Sequence, residues 1–249
     1  MKNIIYIVFV LIVMSCDNDT ANDCFRTSGT TISKAIAVES FETILVNRNI
    51  ELILKQGPEI SVIIETGENL MNDVEVHVVD GELQLTDNNT CNLFRDYDPT
   101  RITVTTPTVT SIRSSTQFDV QSEGVLVLDR LTLTSEDFND SDSFNVGDFN
   151  MHINVQDLNV VSNNISMFYI SGITEHLTVG FYAGAGRFEG ANLIANTVNV
   201  YHRGSNDIIV NPQISLKGEL VSTGNLISKN KPETVEVEAK YKGDLYFED

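Results

Sequence analysis

The chain has no tryptophan and only five prolines. Basic residues are also few, with sixteen Lys and Arg against thirty-five Asp and Glu, for a formal net charge of −19. So acidic a surface repels phosphate backbones and anionic headgroups, which argues against nucleic acid as a partner. Cysteine is limited to Cys16, Cys24 and Cys91, and histidine to His77, His152, His176 and His202. No HExxH, CxxC, GxSxG or phosphate-loop pattern occurs, so the sequence points to no cofactor. No segment sustains a 3.6-residue apolar period, and residues 66–73 have room for one helical turn at most.

Only one long apolar run is present, and it is too short to span a bilayer. Ile4 to Met14 is eleven residues, whereas a spanning helix needs roughly twenty. Lys2 precedes the run and Val13-Met14-Ser15-Cys16 ends it, which reads as a signal-peptide core followed by a lipobox. The expected mature protein therefore begins at a lipid-bearing Cys16, with residues 1–15 removed. Losing Lys2 and no acid takes the formal charge from −19 to −20. Residues 16–33 form the lipidated cysteine and a polar, acidic tether. The expected location is the cell envelope, anchored in the outer membrane through the lipid, on either its surface or its periplasmic side.

Cys24 and Cys91 remain after Cys16. In an oxidising compartment an even pair is most simply a disulfide. Closing a loop of 67 residues would stabilise the fold by about 4 kcal/mol in the chain-entropy picture.

Asn, Asp, Thr, Val and Ile are plentiful, which is a strand-and-turn vocabulary. Alternating runs at Ile50–Leu54, Ile60–Ile64, Val74–Val78 and Glu82–Leu85 read as strands, and Asp80-Gly81 reads as a hairpin turn. The second half repeats. Apolar-x-apolar units start at Leu131, Leu158, Leu177, Val198, Leu216 and Val235, with gaps of 27, 19, 21, 18 and 19 residues. Each has a follower, at Phe144, Phe168, Phe188, Ile208, Leu226 and Leu245.

Two short strands per period of about twenty residues predict an all-β fold, a single-stranded parallel β-helix with an irregular N-terminal β layer. The two sets of apolar starts would then form two inward columns. An antiparallel sandwich of short hairpins is the rival, but the steady offset near ten within five consecutive pairs favours the coil. Outward, Thr132, Asn159, Thr178 and Asn199 would form a polar column.

The order of several marks resembles the auto-transporter adhesin head GIN domain family, common in Bacteroidetes. They are Phe41 with Ile44 and Val46, the Gln56-Gly57 turn, Glu68-Asn69-Leu70, Asp80-Gly81-Glu82-Leu83 and the terminal Lys242-Gly243-Asp244-Leu245. The resemblance covers residues 34–249. It implies a β-helical fold, an adhesive role and no catalytic motif.

Some residues carry chemistry of their own. Tyr182, Arg187, Tyr201 and Arg203 sit one repeat apart and form a candidate ligand surface for a glycan or a cell-surface protein. Arg187 and Arg203 have a competing use, pairing with Glu189 and Asp207. Asp137, Asp140 and Asp142, in an acidic stretch with Asp148 beyond it, are calcium candidates, although their spacing does not match an EF-hand. The four histidines share no column, which suits surface positions better than a metal ladder. The expected function is a lipid-anchored envelope protein with a structural, adhesive or glycan- or protein-binding role and no catalysis. The alternative is a β-helical polysaccharide lyase or hydrolase, with Glu136, Asp137, Asp140 and Asp157 as its carboxylates.

Overall fold

The computed structural model describes residues 26–89, 99–137 and 144–248. The chain is all-β. Among the described residues seventeen strands join in one sheet, curled into a nearly closed, barrel-like wall. The single helical turn expected within residues 66–73 is a 3₁₀ turn at Met71–Asp73. Among the described residues no helix is long and apolar enough to cross a membrane.

The second half is a parallel ladder. Strands β10 (Leu126–Ser135), β11 (Phe149–Ser162), β12 (Met167–Phe181), β13 (Arg187–His202) and β14 (Ile208–Leu220) pair in chain order. Each partner lies about one repeat further along. Beyond β14 the rung splits into β15 (Leu226–Ser228) and β16 (Thr234–Ala239), followed by β17 (Leu245–Phe247).

Alternation explains the burial. In β11, Phe149, Met151, Ile153 and Val155 point inward, then the phase slips at exposed Gln156-Asp157, and Leu158, Val160 and Ser162 point inward again. Each long strand thus supplies two inward rows separated by a corner. One row runs Leu131, Leu158, Leu177, Val198, Leu216, Val235, each paired with the next. This is the column expected from the spacing. The other runs Phe149, Phe168, Phe188, Ile208, Leu226, Leu245. Burying one such side chain contributes about 1.5–3 kcal/mol, so the rows hold the ladder together.

The second row corrects the sequence reading at one place. Phe144 is not a member; it is 45% exposed and lies under the guanidinium of Arg48. Phe149 takes its position. Phe-Asn-Val at 144–146 lies in a turn ahead of β11, whose ladder pairing begins at Phe149.

The first half is more regular than expected, but its order is permuted. β2 (Thr43–Val46) and β3 (Ile50–Gln56) form one rung. On one side it pairs in parallel with β6 (Glu82–Asp87) and β7 (Thr100–Thr106), and on the other with β8 (Ser111–Ser114) and β9 (Val120–Glu123). β8 and β9 continue into β10 and β11. The irregular part is antiparallel: β1 (Thr31–Ile36) on β4 (Ser61–Gly67), β4 on β7, and β5 (Val74–Val79) on β6. The β5–β6 hairpin turns at Asp80-Gly81, both left-handed with φ of 50° and 79°, as that dipeptide predicts.

Candidate functional site

The outward rows follow the same register. Thr132, Asn159, Thr178 and Asn199 pair in succession, and the row continues to Lys217 and Glu236. Beside it run Thr134, Val161, Gly180, Tyr201, Glu219 and Glu238.

Tyr182 follows the end of β12, where its backbone N–H donates to the Ser162 carbonyl of the previous rung at 2.8 Å. Its ring folds back over Gly180, where a Cβ would sit 2.9 Å from a ring carbon. Only glycine leaves that space. The ring then meets Tyr201 at 5.3 Å between centroids, tilted by 32°. Tyr182 is exposed and Tyr201 half-buried. The two phenols therefore form one aromatic platform across two rungs. Sequence reasoning named both tyrosines but missed Gly180; the signal was a glycine inside an otherwise well-formed strand.

Arg187 is already engaged. It pairs with Glu189 on its own strand and donates to Asp207 of the next rung at 3.0 Å. Burial pushes its pKa down, but hydrogen bonds to Glu189 and Asp207 outweigh that and raise it. Burial likewise pushes Asp207 up, yet Asn225 and Arg187 hold its carboxyl below the ordinary range. This is the cross-rung pairing named as the competing use. Arg203 is exposed beside the next turn; of the four candidates the structure brings Tyr182 and Tyr201 into contact, while Arg187 acts as a brace between rungs.

His202 corrects the surface assignment of the histidines. It is fully buried, in the inward position that follows Val198 and Val200. Its Nε2–H donates to the Asn206 carbonyl at 2.7 Å, and Nδ1 accepts from the Gly204 N–H at 3.3 Å. Its ring meets Phe181 edge-on at 6.0 Å. The bonding pattern is that of a neutral imidazole, and burial lowers the pKa. The unfolded chain therefore binds the proton more readily than the folded one. The stability tied to neutral His202 is complete above the ordinary imidazole pKa of about 6.5 and is lost as pH falls below it. Melting temperature is expected to drop between pH about 7 and 5, and to drop less in His202→Gln. Parallel pH profiles for the two proteins would refute the assignment. The other three histidines are exposed; the Nδ1 of His176 bonds Thr197 Oγ1 at 2.8 Å.

The remaining candidates are scattered. Glu136 is buried and paired with Arg113. Asp137 accepts from Asn163 Nδ2 at 2.6 Å, Asp148 accepts from the Met167 N–H at 2.8 Å, and Asp157 is exposed at the corner. Asp140 and Asp142 lie outside the described residues, and among the described residues no cluster of three or more metal-ligating side chains forms. Burial, with the charges of Asp148 and Glu51 nearby, raises the pKa of Asp119, the one carboxyl of that neighbourhood so shifted.

Cys16, Cys24 and Cys91 also lie outside the described residues. The chain next to Cys24 and Cys91 converges on one place. Arg26 donates to the Asn69 carbonyl at 3.2 Å and pairs with Asp73. Asn89 Nδ2 donates to the Leu70 carbonyl at 3.1 Å, and the Asn88 N–H donates to the Asp73 carbonyl at 2.9 Å.

One outward feature escaped the sequence reading altogether. Val127, Ile173 and Ile194 are each about half exposed and lie along one ladder row, with Asn154 between the first two. Pro107, Asp129 and Glu175 border the same shallow groove. These positions alternate with inward Val155, Thr174 and Ala195 just before the corner, which turns their side chains outward.

These features define a class: an all-β protein built on a parallel ladder, whose exterior is ordered into rows. The chain belongs to the family described as putative auto-transporter adhesin, head GIN domain, whose pattern matches residues 40–232. Among solved structures, a putative adhesin from Bacteroides fragilis is 20% identical with a TM-score of 0.73, covering 90% of this chain and 100% of its own. A putative adhesin from Parabacteroides merdae is 16% identical at a TM-score of 0.61, covering 89% and 97%. A putative lipid binding protein from Parabacteroides distasonis is 14% identical at 0.56, covering 87% and 97%. The search of curated proteins gave no match.

Proposed function

We propose that the protein is a lipid-anchored envelope component with an adhesive, non-catalytic role, its ladder wound as a β-solenoid. The observation that carries this reading is the exterior laid out in register. The Tyr182–Tyr201 platform and the Ile173–Ile194 pair, with Val127 two rungs before Ile173 in the same row, present rigid contacts at the spacing of the rungs. Contacts of this kind are individually weak and gain strength when many engage at once. Aromatic rings one rung apart suit the apolar faces of successive sugar units, and the apolar row suits a protein surface. Family membership supports the adhesive side of the reading.

A cell-adhesion assay comparing the parent and a deletion strain, together with glycan-array binding of the purified protein, tests this. Binding that falls severalfold in Tyr182→Ala or Tyr201→Ala supports the platform, since one stacked ring contributes about 0.5–1.5 kcal/mol. Unchanged adhesion together with an empty array removes the reading.

A further inference from the structure

The far end of the ladder is open. β16 hydrogen-bonds to β14 on one side, and β17 to β15 on one side. Among the described residues no strand lies beyond them. Their outer edges therefore carry a row of backbone N–H and C=O groups without strand partners. The interior is open there too. Val235 and Leu245 are half-buried, whereas Leu216 and Leu226, one step back in the same rows, are fully buried.

Three ion pairs cross the rungs at this end, and Glu219 and Glu238, which face each other in register, share Lys240. Lys217 bonds Glu236 at 2.9 Å, Lys240 bonds Glu219 at 2.9 Å, and Lys229 bonds Glu248 at 3.0 Å. Each pair joins neighbouring rungs with opposite signs. On β16 the outward side chains are Glu236 and Glu238, 62% and 68% exposed. The bases nearby are engaged: Lys240 is shared between Glu219 and Glu238, and Lys242 and Lys231 lie over the rings of Tyr241 and Phe247. A following strand complementary to these exposed carboxylates would set bases opposite Glu236 and Glu238, and apolar residues over Val235 and Val237.

We propose that this edge is a docking strand for an extended partner segment in which apolar and basic residues alternate, added to the sheet by backbone pairing. Such strand addition takes its affinity from main-chain hydrogen bonds and its selectivity from alternate side chains. A second copy of this chain fits poorly. Antiparallel pairing about Glu236, Val237 or Glu238 sets a glutamate opposite a glutamate every time, and like charges directly opposite are destabilising. The proposal concerns the ladder's end and holds whatever the lateral rows bind.

The test uses the full mature protein and three short capped peptides: alternating Val and Lys, alternating Val and Glu, and the Val-Lys peptide N-methylated at every second amide. The Val-Lys peptide is expected to bind and to protect β16 amides from hydrogen exchange. The N-methylated form is expected not to bind. The surface double variant Glu236→Lys/Glu238→Lys, checked for folding by circular dichroism, should lose about tenfold or more toward Val-Lys and gain the Val-Glu peptide. Equal binding of the N-methylated peptide, or an unaffected double variant, would mean general attraction to an acidic protein and would overturn the proposal. Concentration-dependent dimers that protect β16 in the absence of peptide would overturn it in favour of self-pairing.

Discussion

Phe168→Ala is expected to cost about 3–5 kcal/mol of folding stability, and Phe144→Ala less than about 1 kcal/mol. Phe168 is fully buried and stacks on Phe149 with ring centroids 4.8 Å apart and planes 6° from parallel. Phe181 lies on another side at 5.8 Å. Its backbone pairs with Phe149 in one neighbouring strand and Phe188 in the other. Neighbouring strands in a ladder stay about 4.8 Å apart, so the rungs cannot close over the missing ring. The cavity persists, and the cost falls near the top of the usual range for such a deletion. Phe144 loses only an exposed contact with Arg48. Denaturant unfolding measures both. Equal shifts of the two midpoints would mean that the inward row has been wrongly assigned.

Cys16→Ala is expected to move the protein entirely from the membrane fraction to the soluble one and to abolish acyl labelling. A single acyl chain gives only marginal binding, and stable anchoring takes two or more. The several chains expected on a lipoprotein cysteine therefore make the change all-or-none. Membrane association that survives the substitution would contradict lipid anchoring at this residue. The soluble variant also serves for a thiol count in denaturant without reductant. No free thiol is expected, because the chain on both sides of the proposed Cys24–Cys91 disulfide is already held at Asn69–Asp73. Two free thiols would remove the pairing.

The parallel half of the fold is readable in the sequence because its information is local. Spacing alone places Leu158, Leu177 and Val198 in one row, since every rung repeats the same in-and-out alternation. Phe144 misleads because Phe-Asn-Val imitates the neighbouring Phe-Tyr-Ile unit. The longer alternation Phe149, Met151, Ile153, Val155 was the stronger signal. His202 misleads for a chemical reason: imidazole suggests a wet surface, yet Val198, Val200 and His202 alternate inward, and the turn at Gly204–Asn206 supplies both ring nitrogens with partners. The first half cannot be ordered by pattern. Nothing in β2 or β3 says that later strands will flank them on both sides, because alternation fixes which face is buried and not which strand lies alongside. Of the candidate site, the tyrosines and the Arg187 brace were visible as a repeat of like residues one period apart. The space above Gly180 depends on how the Tyr182 ring folds back, and the outward apolar row on which strands pair in register, neither of which local pattern specifies.

Successive rungs lie in register along one row, and pulsed electron–electron double resonance measures that directly. Spin labels are placed at Thr132 and, in turn, at Asn199, Lys217 or Glu236, in a background with Cys24 and Cys91 changed to Ser. Thr132 is separated from these positions by three, four and five strand steps. Backbone separations of about 14, 19 and 24 Å are expected, rising by roughly 4.8 Å per rung. Distances that fail to rise in equal steps would contradict the stacked ladder.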